Sequence, residues 1–307
     1  MIFKIDSSLK NAEGKSAKEL ADLILHISNA QHNISCDPDM WKWMTEHLLN
    51  YEYLSNWDIQ LINGNKQLRD ITHAKSRYLS IVTIGREAGM FSPADADKLV
   101  SQPSLVIVEN EQNDWAVIRT WIDLLKNDRT YKDVNTIVCK RKDANDLRAY
   151  NAGTSGQIIN SIAQRQAIYG SATPYKVTTL IDSDKVNAAA DFSNEKKKII
   201  QAMADAGIEG HILHKREMEN YFTEANYRAA GIIAPGEPVP VYTDEEWDFI
   251  DIENASFTNY KKRQLPTVAQ YLDKPSLLSR VDVRKVTYNG EVMNEIQMII
   301  LKFAKLC

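Results

Sequence analysis

The chain has 307 residues, of which 44% are hydrophobic and 25% are charged, and its formal net charge is −4. This composition is typical of soluble globular proteins. The sequence has no apolar run of 18 residues and no signal-peptide core. These features predict a cytoplasmic protein without a membrane span. Because the chain is acidic, attraction to nucleic acid would depend on local basic clusters or bound cations.

Residues 1–102 are predicted to form a helical N-terminal domain. Ser16 begins a capping-box pattern, in which a serine and a glutamate three residues later satisfy backbone amides at a helix start. Asp37 and Ser92 are each followed by proline, which is also typical of helix starts. These three positions divide the region into predicted helical segments.

From residue 103 the pattern changes to alternating strands and helices. The alternation predicts an α/β domain over residues 103–222, with a mainly parallel four-stranded sheet and helices on its faces. The predicted strands lie at residues 104–108, 134–138, 175–181 and 209–213, and the predicted helices at residues 114–125, 153–167 and 194–206. Residues 223–307 are expected to form a mixed, partly helical C-terminal extension.

Acidic residues directly follow two of the predicted strands. Glu109 comes after the first, and Asp182 and Asp184 come after the third. Ligands of parallel sheets bind beyond the carboxyl ends of the strands, and alternate residues of an extended segment face the same side. Each acid alone is also typical of an exposed loop or helix cap, but together they favour a site for Mg²⁺ or Mn²⁺.

A third polar segment follows the last predicted strand. Glu217 or Glu219 could complete a metal shell there, and Lys215 or Arg216 could neutralise charge on a phosphate. The alternative interpretation is a charged helix start that buries Tyr221, and one helix can serve both purposes.

Further basic residues are candidate phosphate contacts. Clusters occur at residues 140–142, 196–198 and 261–263. Within and near them, Lys140, Arg141 and Lys185 are the candidate substrate-binding residues, together with Arg216. Taken singly, each cluster is more typical of a solvated helix face or loop.

These residues carry a family resemblance. The Val-Ile-Val-Glu at residues 106–109, the Leu-Ile-Asp-Ser-Asp at residues 180–184 and the Lys-Arg-Glu-Met-Glu-Asn-Tyr at residues 215–221 resemble the TOPRIM fold. The similarity is greatest to OLD-family nucleases and to stand-alone TOPRIM effectors of bacterial anti-phage defence systems. It covers about 120 residues in a Rossmann-like arrangement.

The resemblance implies roles for individual residues. Glu109 would be the catalytic acid of the first strand, Asp182 and Asp184 the principal metal ligands, Glu219 a later acid, and Lys215 the basic residue near the end of the site. The cofactor would be Mg²⁺ or Mn²⁺.

The sequence departs from the family pattern after its first glutamate. The family usually has glycine next, where this chain has Asn110. A second acid often falls four residues after that glutamate, where Asn113 stands with Asp114 one place later. A one-residue shift would restore Asp114 as a metal ligand, and without it a one-metal mechanism is the alternative.

The resemblance implies a metal-dependent nuclease that cleaves DNA or RNA as an antiviral effector. Such proteins act with an ATPase, and Leu9 stands where a phosphate-binding loop ending at Ser16 would need glycine, so a separate ATPase partner is expected. A homo-oligomer is plausible. The alternatives are a non-catalytic or regulatory nucleic-acid-binding subunit and, with less support, a topoisomerase- or primase-like enzyme.

Overall fold

The computed structural model describes residues 1–49, 54–69 and 77–307. The chain divides into two compact units, the first comprising Met1–Pro103 with Ala304–Cys307, and the second comprising Ser104–Phe303. In the described parts of the chain, no helix combines the length and apolarity that crossing a bilayer requires.

The first unit contains a three-stranded parallel sheet that the sequence did not predict. Strands β1 (Ile2–Ile5), β2 (Asn33–Ser35) and β3 (Ile81–Ile84) lie in the order β2-β1-β3. Each strand has only three or four residues, too few to show a periodicity. The helices of this unit are α1 (Gly14–Asn29), α2 (Pro38–His47), α3 (Asn56–Arg69) and α4 (Pro93–Ser101).

Two of the three predicted helix starts are confirmed. Asp37 Oδ1 accepts a hydrogen bond from the Met40 amide at 2.7 Å, and the Ser92 hydroxyl accepts one from a backbone amide in the first turn of α4. The start predicted at Ser16 is wrong, because α1 already begins at Gly14.

The second unit is built on a four-stranded parallel sheet, as the alternation predicted. The order is β5-β4-β6-β7, and all three pairings are parallel. The two central strands are buried along their whole length, because helices cover both faces. The strands are β4 (Ser104–Val108), β5 (Leu147–Asn151), β6 (Val177–Ile181) and β7 (His211–Ile212), and the helices between them are α5 (Glu111–Leu125), α6 (Lys132–Asp143), α7 (Ser155–Tyr169), α8 (Thr173–Lys176) and α9 (Asn194–Asp205).

The second strand of this domain was predicted in the wrong place. Residues 134–138 lie inside α6, where Val134 and Val138 are four residues apart and buried on one helical face. A short apolar run fits a buried strand and a buried helix segment equally well. The true strand, β5, is an edge strand with half-exposed residues, so its sequence has no continuous apolar run.

The elements after β7 are short, and all of them except the last residues of the final helix belong to the second unit. They are α10 (Glu224–Ala229), α11 (Asp244–Phe249), α12 (Leu265–Ala269), α13 (Lys274–Val281), the antiparallel hairpin of β8 (Lys285–Tyr288) and β9 (Glu291–Asn294), and α14 (Glu295–Leu306), with 3-10 turns at Met218–Tyr221 and Lys262–Gln264. Helix α12 packs against α5, which brings the segment before it to the carboxyl edge of the sheet.

Candidate functional site

Acidic side chains from separate segments meet at the carboxyl edge of the parallel sheet. Glu109 follows β4 and Asp182 follows the neighbouring β6. The segment after β7 closes over them, since the amide of Met218 donates to Asp182 Oδ1 at 3.1 Å. Burial raises the pKa of Asp182, Lys262 opposes this, and the nearby Glu109 and Asp184 add to the rise.

The backbone at Asp184 has a conformation that the sequence did not predict. Its φ is 55°, in the left-handed region, so the segment is bent rather than extended. The bend is held by the carbonyl of Arg216, which accepts the amides of both Ser183 and Asp184 at 3.0 Å. An aspartate tolerates this conformation at some cost, and such outliers cluster at functional sites.

Lys196 joins two of the predicted metal ligands. Its ammonium group lies 2.8 Å from Glu109 Oε1 and 2.9 Å from Asp184 Oδ2. The side chain extends from α9 and is buried. Although burial acts to lower the pKa of Lys196, the two carboxylates raise it above its ordinary value. Lys196 therefore supplies a fixed positive charge between two acids.

Asp114 belongs to the same cluster, since it interacts with Asp182, Glu109 and Lys262. The amide of Asn110 donates to Asp114 Oδ2 at 2.8 Å, and Asn110 caps the start of α5 through the Asn113 amide. Burial, followed by the charge of Asp182, raises the pKa of Asp114 to about 7. Asn110 and Asp114 thus belong to one hydrogen-bonded structure at the start of α5.

Glu217 and Glu219 complete the acidic group. Tyr260 donates to Glu219 Oε1 at 2.9 Å, while the buried Oε2 has no hydrogen-bond partner among the described residues. Burial and the charge of Asp182 raise the pKa of Glu219 to about 7. Burial and the charge of Glu219 raise the pKa of Glu217 to about 8. Glu217 and Glu219 thus repel each other, and the charge of Lys262 opposes the rise in both pKa values.

Lys262 was missed as a site residue. Its ammonium group lies 3.2 Å from Asp182 Oδ2, and one third of its side chain is exposed. Burial acts against the charged form, but Asp182 and Glu219 hold the pKa of Lys262 well above its ordinary value. The sequence marks residues 261–263 only as a basic cluster, 80 positions from Asp182, and no spacing links the two.

In the described chain the ammonium group of Lys215 pairs with Asp248 and not with the acids of the cluster, which differs from the role that the resemblance implies. Its ammonium group is buried and lies 2.7 Å from Asp248, which also binds Arg280 at 2.5 Å and Arg284 at 3.2 Å. Burial and the charge of Arg280 lower the pKa of Lys215 to about 8. Its backbone carbonyl accepts the hydroxyl of Ser183 at 2.7 Å, so Lys215 supports the aspartate loop through its main chain.

Replacing Lys215 by methionine is expected to lower the free energy of unfolding by about 1–3 kcal/mol while changing any catalytic rate only a few-fold. Asp248 would keep two arginine partners, so the full cost of an unpaired buried charge, about 3–5 kcal/mol, would not arise. Denaturant unfolding and the rate per folded molecule measure the two effects, with Lys98→Met on the surface as control. A hundredfold slower rate in a stable Lys215→Met protein would show that Lys215 has the catalytic role that the resemblance implies.

The other predicted substrate-binding residues fall into two groups. Arg216 and Lys185 flank the aspartate loop, Arg216 with Asp251 at 3.2 Å and Lys185 over the ring of Phe192. Lys140 and Arg141 lie in the last turn of α6, which leads into the amino end of β5. The sheet separates that end from the acids by five residues of strand, roughly 16 Å.

Two other groups of potential metal ligands occur in the second unit. Within the described chain, sets of three ligand atoms lying within 4.8 Å of one another occur at His211, His214 and Glu295, and at Asp123, Cys139 and Asp143. Glu295 is already engaged in three hydrogen bonds, since it accepts from His211 at 2.7 Å, from the His214 amide at 2.8 Å and from Tyr221 at 2.6 Å. In this first group Glu295 is the centre of a hydrogen-bond network, while the side chain of His214 is exposed.

The acidic cluster fits a divalent cation by its chemistry. Its donors are carboxylate oxygens, the ligands that Mg²⁺ and Mn²⁺ prefer, and Glu219 Oε2 is a buried acceptor without a partner in the described chain. Among the described residues, no three of its carboxylates have ligand oxygens that all lie within 4.8 Å of one another. Instead the ammonium groups of Lys196 and Lys262 lie among them and supply positive charge.

The raised pKa values predict a pH-dependent effect of Mg²⁺ on stability. The folded chain keeps protons on Asp114, Glu217 and Glu219 up to about pH 7–8, while the unfolded chain releases them near pH 4. The unfolded state thus binds fewer protons across this window, so stability without metal falls as pH rises. Mg²⁺ held by these acids would replace those protons, so the ion is expected to raise Tm by several degrees more at about pH 8.5 than at about pH 6.

Thermal unfolding of wild type and Glu219→Gln, with and without Mg²⁺, isolates this effect from other titrating groups. Without metal, the glutamine variant should be more stable than wild type at the higher pH, by of order 1–3 kcal/mol. It should also respond less to Mg²⁺. Equal responses of the two proteins at both pH values would contradict the assignment.

Comparison of the chain with known protein families, with characterised proteins and with solved structures finds no match. The functional interpretation therefore rests on the geometry of the site and on the motifs in the sequence.

Proposed function

We propose that the second unit is a TOPRIM-like, metal-dependent nuclease domain, similar to OLD-family nucleases. The observation that supports it most is the acidic cluster of Glu109, Asp114, Asp182, Asp184 and Glu219. These acids come from separate segments, and their mutual repulsion contributes to the raised pKa values of Asp114, Asp182 and Glu219. Clusters with strongly shifted pKa values are typical of catalytic sites.

In this proposal the acids would hold Mg²⁺ or Mn²⁺, which when bound activates water and stabilises charge on a phosphoryl group. Lys262, partly exposed beside Asp182, would neutralise a non-bridging phosphate oxygen. Glu217, whose pKa is raised to about 8, holds a proton at neutral pH and could give it to the leaving oxygen. Lys196 would keep Glu109 and Asp184 in position.

The biological setting follows from the resemblance to effectors of anti-phage defence. We propose an antiviral effector that acts in the cytoplasm with a separate ATPase. The two lysines among the acids support a gated enzyme, because their ion pairs neutralise part of the cluster before any metal or substrate binds.

The second candidate is a non-catalytic nucleic-acid-binding subunit. The bridge that Lys196 makes between Glu109 and Asp184 favours it, since an internal cation could replace a metal permanently. The pKa of Lys196 is raised, so it does not give up this charge at neutral pH.

An assay of cleavage separates the two candidates. The purified chain is incubated with plasmid, linear DNA and total tRNA in Mg²⁺, Mn²⁺ or EDTA, alone and with the products of neighbouring genes. Cleavage that requires the metal and disappears in Glu109→Gln is expected. Absence of cleavage in every mixture, or unchanged cleavage by Glu109→Gln, would reject the nuclease proposal.

A further inference from the structure

A cavity of about 630 Å³ opens beside Glu109. Its size lies within the ~300–1,000 Å³ of typical small-molecule pockets. The lining comes from the start of α5 and the end of β5 and includes Trp115, Arg119, Gln112, Asn110 and Asn151. The cavity therefore adjoins the acidic cluster but is lined mainly by groups outside it.

The aromatic and basic residues of the cavity lie one helical turn apart. Trp115 is partly exposed and lines the cavity, which places its indole ring within reach of a ligand there. Arg119 is exposed on the same face of α5, four residues later. An aromatic face beside an arginine is the usual arrangement for stacking a base while contacting its phosphate.

Two amide groups in the cavity are oriented by the backbone. Asn110 Oδ1 accepts from the Asn113 amide at 3.1 Å, and Asn151 Oδ1 accepts from the Gly153 amide at 3.0 Å. Their Nδ2 groups have no hydrogen-bond partner in the described part of the chain and remain as donors. Every nucleobase has ring or carbonyl acceptors that such donors can bind.

The charge of the cavity favours a base over a free phosphate. Glu109 and Glu111 both line it, and Arg119 is its one basic lining residue in the described chain. Two carboxylates would repel a phosphate group, whereas a neutral, planar base avoids that repulsion and can stack on Trp115. A base within a duplex is covered by its neighbours, so only an unpaired base can enter a concave site.

We infer that this cavity binds an unpaired nucleobase, stacked on Trp115 and hydrogen-bonded by Asn110 and Asn151, with Arg119 at the adjoining phosphate. The substrate of the acidic cluster is accordingly a single-stranded segment of nucleic acid. This inference rests on the proposed function for its biological meaning, but the binding itself requires no cleavage.

Binding of labelled 12-nucleotide strands to the full chain in EDTA tests the inference by fluorescence polarisation. Trp115→Ala and Trp115→Leu are expected to weaken binding of single-stranded DNA or RNA about 5- to 100-fold, while Trp115→Phe stays within threefold. Trp57→Ala, which removes an exposed indole of the first unit, is the matched control and should bind as wild type. Binding of duplex DNA should not respond to Trp115.

An abasic strand of the same length shows whether Trp115 contacts a base. If it does, Trp115→Leu weakens binding of the normal strand but not of the abasic strand. Equal weakening of both strands, or wild-type binding that shows no preference for single strands, overturns the inference. If Trp115→Leu affects only the strand that carries bases, but no metal-dependent cleavage is found, only the nuclease proposal is rejected. If cleavage is found but Trp115→Leu affects both strands equally, only this base-binding site is rejected.

Discussion

Replacing Asp182 by asparagine is expected to slow metal-dependent cleavage at least about 1000-fold, which corresponds to a loss of ~4 kcal/mol in transition-state stabilisation. Asp182 is fully buried at the centre of the cluster, and its charge raises the pKa values of Asp114 and Glu219. Asparagine keeps an oxygen that can accept the Met218 amide, so the fold should persist. It cannot supply the charge that holds a divalent ion.

The measurement is the single-turnover cleavage rate at saturating Mn²⁺. Asp205→Asn, an equivalent change on the exposed end of α9, is the control and should cleave at the wild-type rate. Because burial penalises the ionised form of Asp182, the asparagine variant should be at least as stable as wild type without metal. A stable Asp182→Asn protein that cleaves normally would place the chemistry elsewhere.

Replacing Lys262 by methionine is expected to slow cleavage about 100-fold, the usual cost of losing one group that stabilises transition-state charge. The methylene stem can still pack, but the positive charge 3.2 Å from Asp182 is lost. Most of the change should appear in kcat, because the charge on phosphate grows as the reaction proceeds. Arginine at this position should restore part of the rate.

Lys261→Met is the matched control for Lys262. Lys261 precedes it in sequence, is largely exposed and lies 3.9 Å from Glu253, so its removal should change the rate less than threefold. Equal losses in the two variants would indicate a general effect of charge on nucleic-acid binding. Lys262 would then have no catalytic role. In that case nucleic-acid binding by both variants would also depend less on salt concentration than binding by wild type.

The parallel sheet could be predicted where the strands are buried on both faces. The apolar runs of β4 and β6 are continuous, and Glu109 and Asp182 follow them directly, so both the strands and the acids at their ends are visible in sequence. The edge strand β5 has half-exposed residues and was missed, while Val134 and Val138 of α6 imitated a strand. Local pattern alone does not distinguish these cases.

The cationic part of the site could not be predicted, because it depends on long-range packing. Lys262 reaches Asp182 only because a 3-10 turn brings it there across 80 residues. Lys215 has the position expected from the resemblance, yet Asp248 from a later helix binds its ammonium group. Both lysines occur in polar segments whose sequence gives no indication of which carboxylate will be the partner.

The most direct test of the account is a titration of the metal-free chain with Mn²⁺, followed by electron paramagnetic resonance or calorimetry. Wild type, Asp205→Asn and His214→Ala should bind the ion with the same affinity, while Asp182→Asn should bind at least tenfold more weakly. Unchanged affinity in Asp182→Asn, with binding lost in His214→Ala, would contradict the account and place the ion beside Glu295 instead.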